Sequence, residues 1–172
     1  MEELENEEVL EEQEDNSLDK YMTFRIGDDV FGIEIKYVSE IIQMQPVTPI
    51  PEVEYFIKGL INLRGKIIPV IDVAERFYYE GKPYNDRTCI IVIGVKGIEV
   101  GLIVEHIAEV VSIEQDNILP PPSSNRVNAE QSRFISGIGK VDGDVKLLLD
   151  PIKILSDDSL DFLDKQENEE EE

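Results

Sequence analysis

The chain folds back on itself at Gly65. Residues Gly59 to Val70 read GLINLRGKIIPV and run on into Ile71-Asp72, two apolar, β-branched runs meeting at an Arg-Gly corner. β-Branched side chains are stiff at χ1 and suit a pleated strand better than a helix. The stretch therefore predicts a hairpin with Arg64 at its corner. It carries no nucleophile, metal-ligand cluster or phosphate loop.

The same rhythm of short apolar runs and turn signals extends through most of the sequence. Tyr21 to Gly27 alternates, Asp28-Asp29 turns, and Val30 to Ile35 alternates again, predicting a first hairpin. Tyr37 to Met44 reads as one helical turn entering a strand, and Pro46, Pro49 and Pro51 forbid a long helix after it. Pro69 confines its strand to an edge, a bulge or a barrel corner. Val73 to Tyr79 predicts a short helix, with Asp72 to cap it and Gly81 to end it. Thr88 to Val95 and Ile98 to Val104 form a hairpin about Lys96-Gly97, which Ile107 to Ile113 continues. Pro120 to Asn125 is a loop. Phe134 to Val141 and Asp144 to Leu149 form a last hairpin about Asp142-Gly143, closed by Asp150-Pro151 and an apolar turn through Leu155.

Roughly nine strands at intervals of about 8 to 12 residues predict an all-β barrel or sandwich. Parallel α/β architecture is disfavoured, since each parallel pair would need a long helical crossover. The strands fall into two groups either side of the polar stretch Tyr79 to Asp86. Each group is small for an independent core, so two small barrels sharing an apolar interface are expected.

Charge divides unevenly along the chain. The formal net charge is -22, of which residues 1–20 hold -9 and residues 156–172 hold -8. The tails thus carry most of it, and like charge with little apolar surface predicts disorder or frayed helix there. Asp157 to Lys165 has a weak amphipathic pattern that fits a short terminal helix. Solvating ends are the simpler reading, with specific recognition the alternative. Lacking a basic stripe, the chain is a poor match for nucleic acid or an anionic membrane surface. One cysteine, Cys89, allows no internal disulfide and fits a reducing compartment, where it reads as a small core hydrophobe. The acidic N-terminus lacks the pattern of a secretion signal, and no apolar run is long enough to span a bilayer. Both point to the cytoplasm.

Candidates for chemistry are few. His106 is the sole histidine, which removes any two-histidine metal site and leaves one possible general base. At the entry to a strand it reads as structural. Asp142-Gly143-Asp144 lacks the further oxygen ligands of a calcium loop, and a hairpin turn explains it. Gly94, Gly97 and Gly101 precede no helix start, and Ser132 and Ser136 lack a nucleophile signature. No catalytic constellation, metal site or cofactor site assembles. Arg64 remains. Between apolar strands it either pairs with a carboxylate, for which Glu40 and Asp72 are the candidates, or points into water from the hairpin corner.

Taken together, Tyr37 to Ile42 (YVSEII), Pro46 to Pro51 (PVTPIP), Phe56 to Gly65 (FIKGLINLRG) running into KIIPVID, and Val100 to Val104 (VGLIV) with the following IAEVVSI resemble the CheW-like family of bacterial chemotaxis coupling proteins. The resemblance covers approximately Tyr21 to Leu155, between the acidic segments 1–20 and 156–172. It implies two five-stranded SH3-like β-barrel subdomains on a shared hydrophobic core, approximately 21–86 and 87–155, with one terminal strand able to cross over. It further implies a non-catalytic, cofactor-free adaptor, monomeric when free and cytoplasmic. Such an adaptor couples the cytoplasmic tips of transmembrane chemoreceptors to the regulatory domain of the histidine kinase CheA, in arrays at the inner face of the membrane. Carried over by position, Glu40 and Arg64 would form an ion pair, and Gly59 and Asn62 would line a receptor-binding groove faced by Val100, Val104 and Val110. Met22, Ile35 and Val38 would form the kinase-binding patch. For each apolar residue the competing reading is ordinary core. A kinase regulatory domain, or an adaptor fused to a phosphoreceiver, would share the fold; a small hydrolase would need carboxylates converging on His106. The long acidic ends are not required by the family pattern.

Overall fold

A computed structural model describes residues 19–77, 80–95, 97–121 and 133–155. The first hairpin is β1 (Lys20–Ile26) and β2 (Asp29–Glu34). A 3-10 turn, Ile35–Tyr37, then leads into β3 (Val38–Gln43), the single turn and strand expected between Tyr37 and Met44. The opening motif forms β4 (Ile57–Leu63) and β5 (Lys66–Asp72), followed by α1 (Val73–Arg76). β6 (Cys89–Val95), β7 (Ile98–Val104) and β8 (His106–Ser112) come next, then a 3-10 turn at Gln115–Asn117 and the two-residue β9 (Ile118–Leu119). β10 (Ile135–Val141), β11 (Asp144–Leu149) and α2 (Pro151–Leu155) complete the described chain.

These strands form two sheets, ordered β8-β1-β2-β11-β10-β9 and β3-β6-β7-β5-β4. The sheets do not follow the division at Tyr79 to Asp86. β1 and β2 join strands from the C-terminal half, while β6 and β7 join β3, β4 and β5. β8 does not continue the β6–β7 hairpin but leaves that sheet to pair with β1. Among the described residues the sheets hold six and five strands, where five and five were expected.

Two strand pairs are parallel, β2 with β11 and β5 with β7. Neither uses the helical crossover that parallel pairing was expected to require. β5 returns to β7 by way of α1, the 80–88 connection and β6, and β2 reaches β11 only after the whole second sheet has been laid down. A crossover need only be long, and here strands supply the length.

Of the three placements expected for Pro69 an edge is ruled out, and the β4–β5 register shifts beside it, between Ile57 and Gly59. β5 lies between β7 and β4, not at an edge. The proline is tolerated because Leu60, its partner on β4, exchanges its backbone hydrogen bonds with Thr48 at 2.9 and 2.8 Å, so the Leu60–Pro69 pair needs none. Pairing with β7 begins at Val70, one residue later.

Three apolar clusters hold the fold. The largest lies between the sheets and joins Phe24, Ile26, Phe31 and Ile33 to Ile91, Ile93, Val100 and Leu102. A chain of aromatic contacts runs through it, from Phe24 to Phe31 at 5.8 Å, on to Phe77 at 5.4 Å and to Phe134 at 6.4 Å. Each such ring contributes roughly 2 kcal/mol or more by leaving water. A second cluster, Ile61, Ile68, Val70, Ile90, Val92 and Ile103, belongs to the five-stranded sheet alone, and a third, Tyr21, Ile113 and Leu148, to the six-stranded sheet.

The five-stranded sheet is therefore buried on both faces, which an isolated flat sheet cannot achieve. It curls until its edges meet. Beyond β3 the chain crosses to β4, where the Thr48–Leu60 bridge joins the segment that follows one edge strand to the other edge strand. Gly59 permits this closure. At φ +143°, a Cβ there would sit 2.0 Å from the Thr48 carbonyl oxygen.

The first helix is shorter than the sequence suggested, whereas the second fills the turn expected through Leu155. α1 is a single turn, capped as expected by Asp72, whose Oδ1 accepts the Glu75 N–H at 3.1 Å. It stops at Phe77, before Gly81. α2 begins with proline and is capped by Asp150, which accepts from the Ile152 and Lys153 N–H groups. The acidic ends, including Asp157 to Lys165, and most of the Pro120 to Asn125 loop lie outside the described residues.

Candidate functional site

The β4–β5 corner is a two-residue turn with Arg64 at φ 53° and Gly65 at φ 87°. Both values are left-handed, the signature of a type I′ hairpin. Glycine accepts this freely, and arginine does so at a cost of roughly 1 kcal/mol. Neighbouring contacts hold the turn in place. Asn62 Oδ1 accepts the Gly65 N–H at 2.9 Å, and Lys66 Nζ lies 3.3 Å from Glu99 Oε1 on β7. A side chain retained in a conformation that does not suit it is a signal of function.

Arg64 reaches across the closed sheet to Glu40 on β3. Its two terminal nitrogens stand 3.0 and 3.2 Å from the two carboxylate oxygens, a bidentate arrangement. β3 and β4 are the two edges of the sheet, so this ion pair closes at the surface what the Thr48–Leu60 bridge closes in the backbone. The arginine side chain is 78% exposed and the glutamate 24%. Lys66 and Glu99 repeat the pattern at 71% and 25%. Two half-sunk carboxylates thus steer two cations that stand out into solvent. Both sequence readings of Arg64 hold at once, since it pairs with a carboxylate and also faces water. Asp72 is not its partner and lies at the far end of β5.

The other expected site residues divide sharply. Asn62 is exposed, but its carboxamide oxygen is already engaged by the turn. Gly59 is buried under Thr48 and presents no surface, so any influence on a groove is indirect. Val100 and Val104, at 0% and 1% exposure, are core residues of β7 in the same sheet as Arg64, and cannot face it across a groove. For these two the core reading prevails, because the closed sheet is apolar on both faces. Val110 is 49% exposed, on β8. It is the direct cross-strand partner of Met22. Met22 and Val38 are half-buried against the shared core, and Ile35 lies in the 3-10 turn that carries the chain from one sheet to the other. A residue assigned to the receptor side and one assigned to the kinase side are therefore neighbours within the six-stranded sheet.

At the opposite end of the five-stranded sheet is a polar network built on a buried carboxylate, which the sequence did not single out. Asp72, 4% exposed, accepts the Tyr84 hydroxyl at 2.8 Å through Oδ2 while Oδ1 caps α1. Burial raises the Tyr84 phenol well above its ordinary range, helped by the hydrogen bond to Asp72 and by the charges of Asp72 and Glu75. Lys58 and Glu75 form a close ion pair beside it. Cys89 is half-buried, its Sγ donating to the Arg87 carbonyl at 3.2 Å, and burial raises its thiol. His106 begins β8 opposite Arg25, away from the Glu40–Arg64 pair. Asp142 and Gly143 form a left-handed hairpin turn. Among the described residues no three His, Cys, Asp or Glu side chains gather as a metal site would require, and no helix is long and apolar enough to cross a membrane.

Comparison with known proteins is consistent across its lines. The CheW-like domain matches residues 20–159. The chemotaxis protein CheW of Klebsiella aerogenes is 32% identical over 145 residues, covering 84% of this chain and 86% of that protein. The chemotaxis protein CheW of Treponema pallidum is 29% identical over 148 residues, covering 83% and 85%. Among solved structures, the scaffolding protein TtCheW from Thermoanaerobacter tengcongensis superposes with a TM-score of 0.74 at 33% identity, over 82% of this chain and 94% of that one.

Proposed function

The chain belongs to the CheW-like domain family, and we propose that it is a non-catalytic adaptor coupling the cytoplasmic tips of chemoreceptors to the regulatory domain of the histidine kinase CheA. Family membership across the folded region carries this reading. The names borne by the relatives, chemotaxis proteins and a scaffolding protein, support an adaptor in chemotaxis signalling.

The Glu40–Arg64 pair is the proposed heart of the receptor site. A receptor tip is a helical hairpin, and such a partner is recognised by a few anchors along one face. Glu40 fixes the guanidinium fork, so Arg64 meets the partner without first losing much side-chain freedom. Lys66, held by Glu99, adds a second oriented cation. Acceptor groups on the partner would complete the donors that Arg64 directs outward. Val110 is retained as an exposed apolar contact, whereas Val100 and Val104 act by supporting the sheet. The kinase would contact the patch bearing Met22, Ile35 and Val38. The free protein would be a cytoplasmic monomer, recruited to arrays beneath the membrane. Small interfaces of this kind reach roughly micromolar affinity, and stable assembly would rest on many of them together.

The test is receptor-dependent kinase activity in a mixture of purified receptor, CheA and adaptor. Arg64→Ala is expected to lower coupling by more than about fivefold, equivalent to about 1 kcal/mol. Activity equal to that of the unaltered protein would reject the assignment. Phosphotransfer by the isolated protein, without kinase, would reject the adaptor class altogether.

A further inference from the structure

The end of the five-stranded sheet away from Arg64 holds a cleft of about 230 Å³ that the adaptor role does not use. It lies between the 80–88 connection and the corner joining β7 to β8, with Ile26, Ala74 and Val104 among its apolar walls. Its acids are already engaged. Asp72 accepts from the Tyr84 hydroxyl and the Glu75 N–H, and Glu105 Oε2 accepts the Gly27 N–H at 2.9 Å. Its cations are not: among the described residues, the Lys82 and Arg87 side chains line the cleft with neither an ion pair nor a hydrogen bond.

The backbone that carries Arg87 is braced. Asn85 Oδ1 accepts the Arg87 N–H at 2.8 Å, the Thr88 N–H reaches the Asn85 carbonyl at 3.1 Å, and Thr88 Oγ1 accepts the Asn85 N–H at 2.9 Å. Tyr84 is pinned at the other side by Asp72. A concave, partly apolar site whose two carboxylates are taken up by hydrogen bonds, and whose guanidinium and ammonium have no partner of their own among the described residues, offers both cations to an oxyanion. Its volume corresponds to roughly seven waters, too small for a dinucleotide and suited to a small acid.

We infer that this cleft binds a small oxyanion, a short organic carboxylate or a phosphate monoester, through Lys82 and Arg87. The inference does not depend on the adaptor reading, because the cleft and the Glu40–Arg64 pair lie at opposite ends of the sheet. The probes are sodium phosphate and sodium malonate, each titrated into the full-length chain with ionic strength held constant by sodium chloride. The readouts are the melting temperature and the Tyr84 ring resonances, identified by their loss in Tyr84→Phe. The expected result is a saturable change in both, with the melting temperature rising by a few degrees. Saturation by phosphate alone would assign phosphate esters, and by malonate alone carboxylates. The double variant Lys82→Gln with Arg87→Gln should weaken apparent affinity at least about fivefold, while Lys66→Gln at the other end should leave it unchanged. A response no different from that to chloride, or affinity in the double variant within fivefold of the original, would overturn the inference.

Discussion

The two ends of the five-stranded sheet are built from the same residue types to opposite effect. At one end, Arg64 and Lys66 stand in solvent over half-sunk Glu40 and Glu99. At the other, Asp72 is buried, with both oxygens engaged and a tyrosine laid over it. Exposed ion pairs contribute little stability because water and salt screen them, whereas removing one member of a buried network leaves its partners unsatisfied. The charged end is therefore free to serve recognition, and the buried end fixes the fold. Substitutions should divide accordingly, and they can break the comparison as well as sharpen it.

The closure of the sheet, shared by both ends, should give the largest effect. Gly59→Val would force a Cβ to 2.0 Å from the Thr48 carbonyl oxygen at a left-handed φ. A loss of about 3 kcal/mol or more is expected in denaturant unfolding, along with loss of the Glu40–Arg64 geometry. A variant of normal stability would mean that the edges of the sheet are not held together as described. Next comes Asp72→Ala, which removes the cap of α1 and the acceptor for Tyr84 in one step, with an expected cost of about 2 to 3 kcal/mol.

Tyr84→Phe isolates one bond of the buried end and should cost about 1 kcal/mol. Its pH dependence supplies a signature. The folded state raises the Tyr84 phenol above the unfolded value, so it binds that proton more tightly than the unfolded chain does. The associated stability is fully present below about pH 10, where unfolded tyrosine titrates, and is lost as the pH rises toward the higher folded value. In Tyr84→Phe that alkaline loss should be smaller. Equal alkaline sensitivity in both proteins would place the titration elsewhere.

How much of this was legible in the sequence follows from the range of each interaction. Strands and turns are local, and alternation with Asp-Asp, Arg-Gly, Lys-Gly and Asp-Gly signals located the β1–β2, β4–β5, β6–β7 and β10–β11 hairpins. The cap at Asp72 was legible for the same reason. Which strands share a sheet is not local. β1 and β8 are apolar runs like any other, and nothing in Ile107 to Ile113 says that it pairs with a strand some eighty residues earlier. Alternation likewise marks Val100 and Val104 as apolar without saying whether their face meets a partner or the core, and both faces of a closed sheet are core. Arg64 stood out because a charge between apolar runs is locally anomalous. Lys82, Tyr84 and Arg87 lie in a polar connection where charge is ordinary, so no local anomaly marked their cleft.

The smallest expected effect tests the charged end alone. Arg64→Asn removes an exposed ion pair worth roughly 0.2 to 1 kcal/mol, but it also places a residue that tolerates left-handed backbone where arginine is strained at φ 53°. The two contributions are of similar size and opposite sign, so the melting temperature should stay within about 2 °C of the original. Arg64→Ala loses the ion pair without that compensation and should be slightly less stable than Arg64→Asn. Both should lose receptor coupling alike, since neither carries the guanidinium. If Arg64→Asn were instead destabilised as much as Tyr84→Phe, the arginine would be a structural tie between the two edge strands, and the contrast between a recognition end and a folding end would fail.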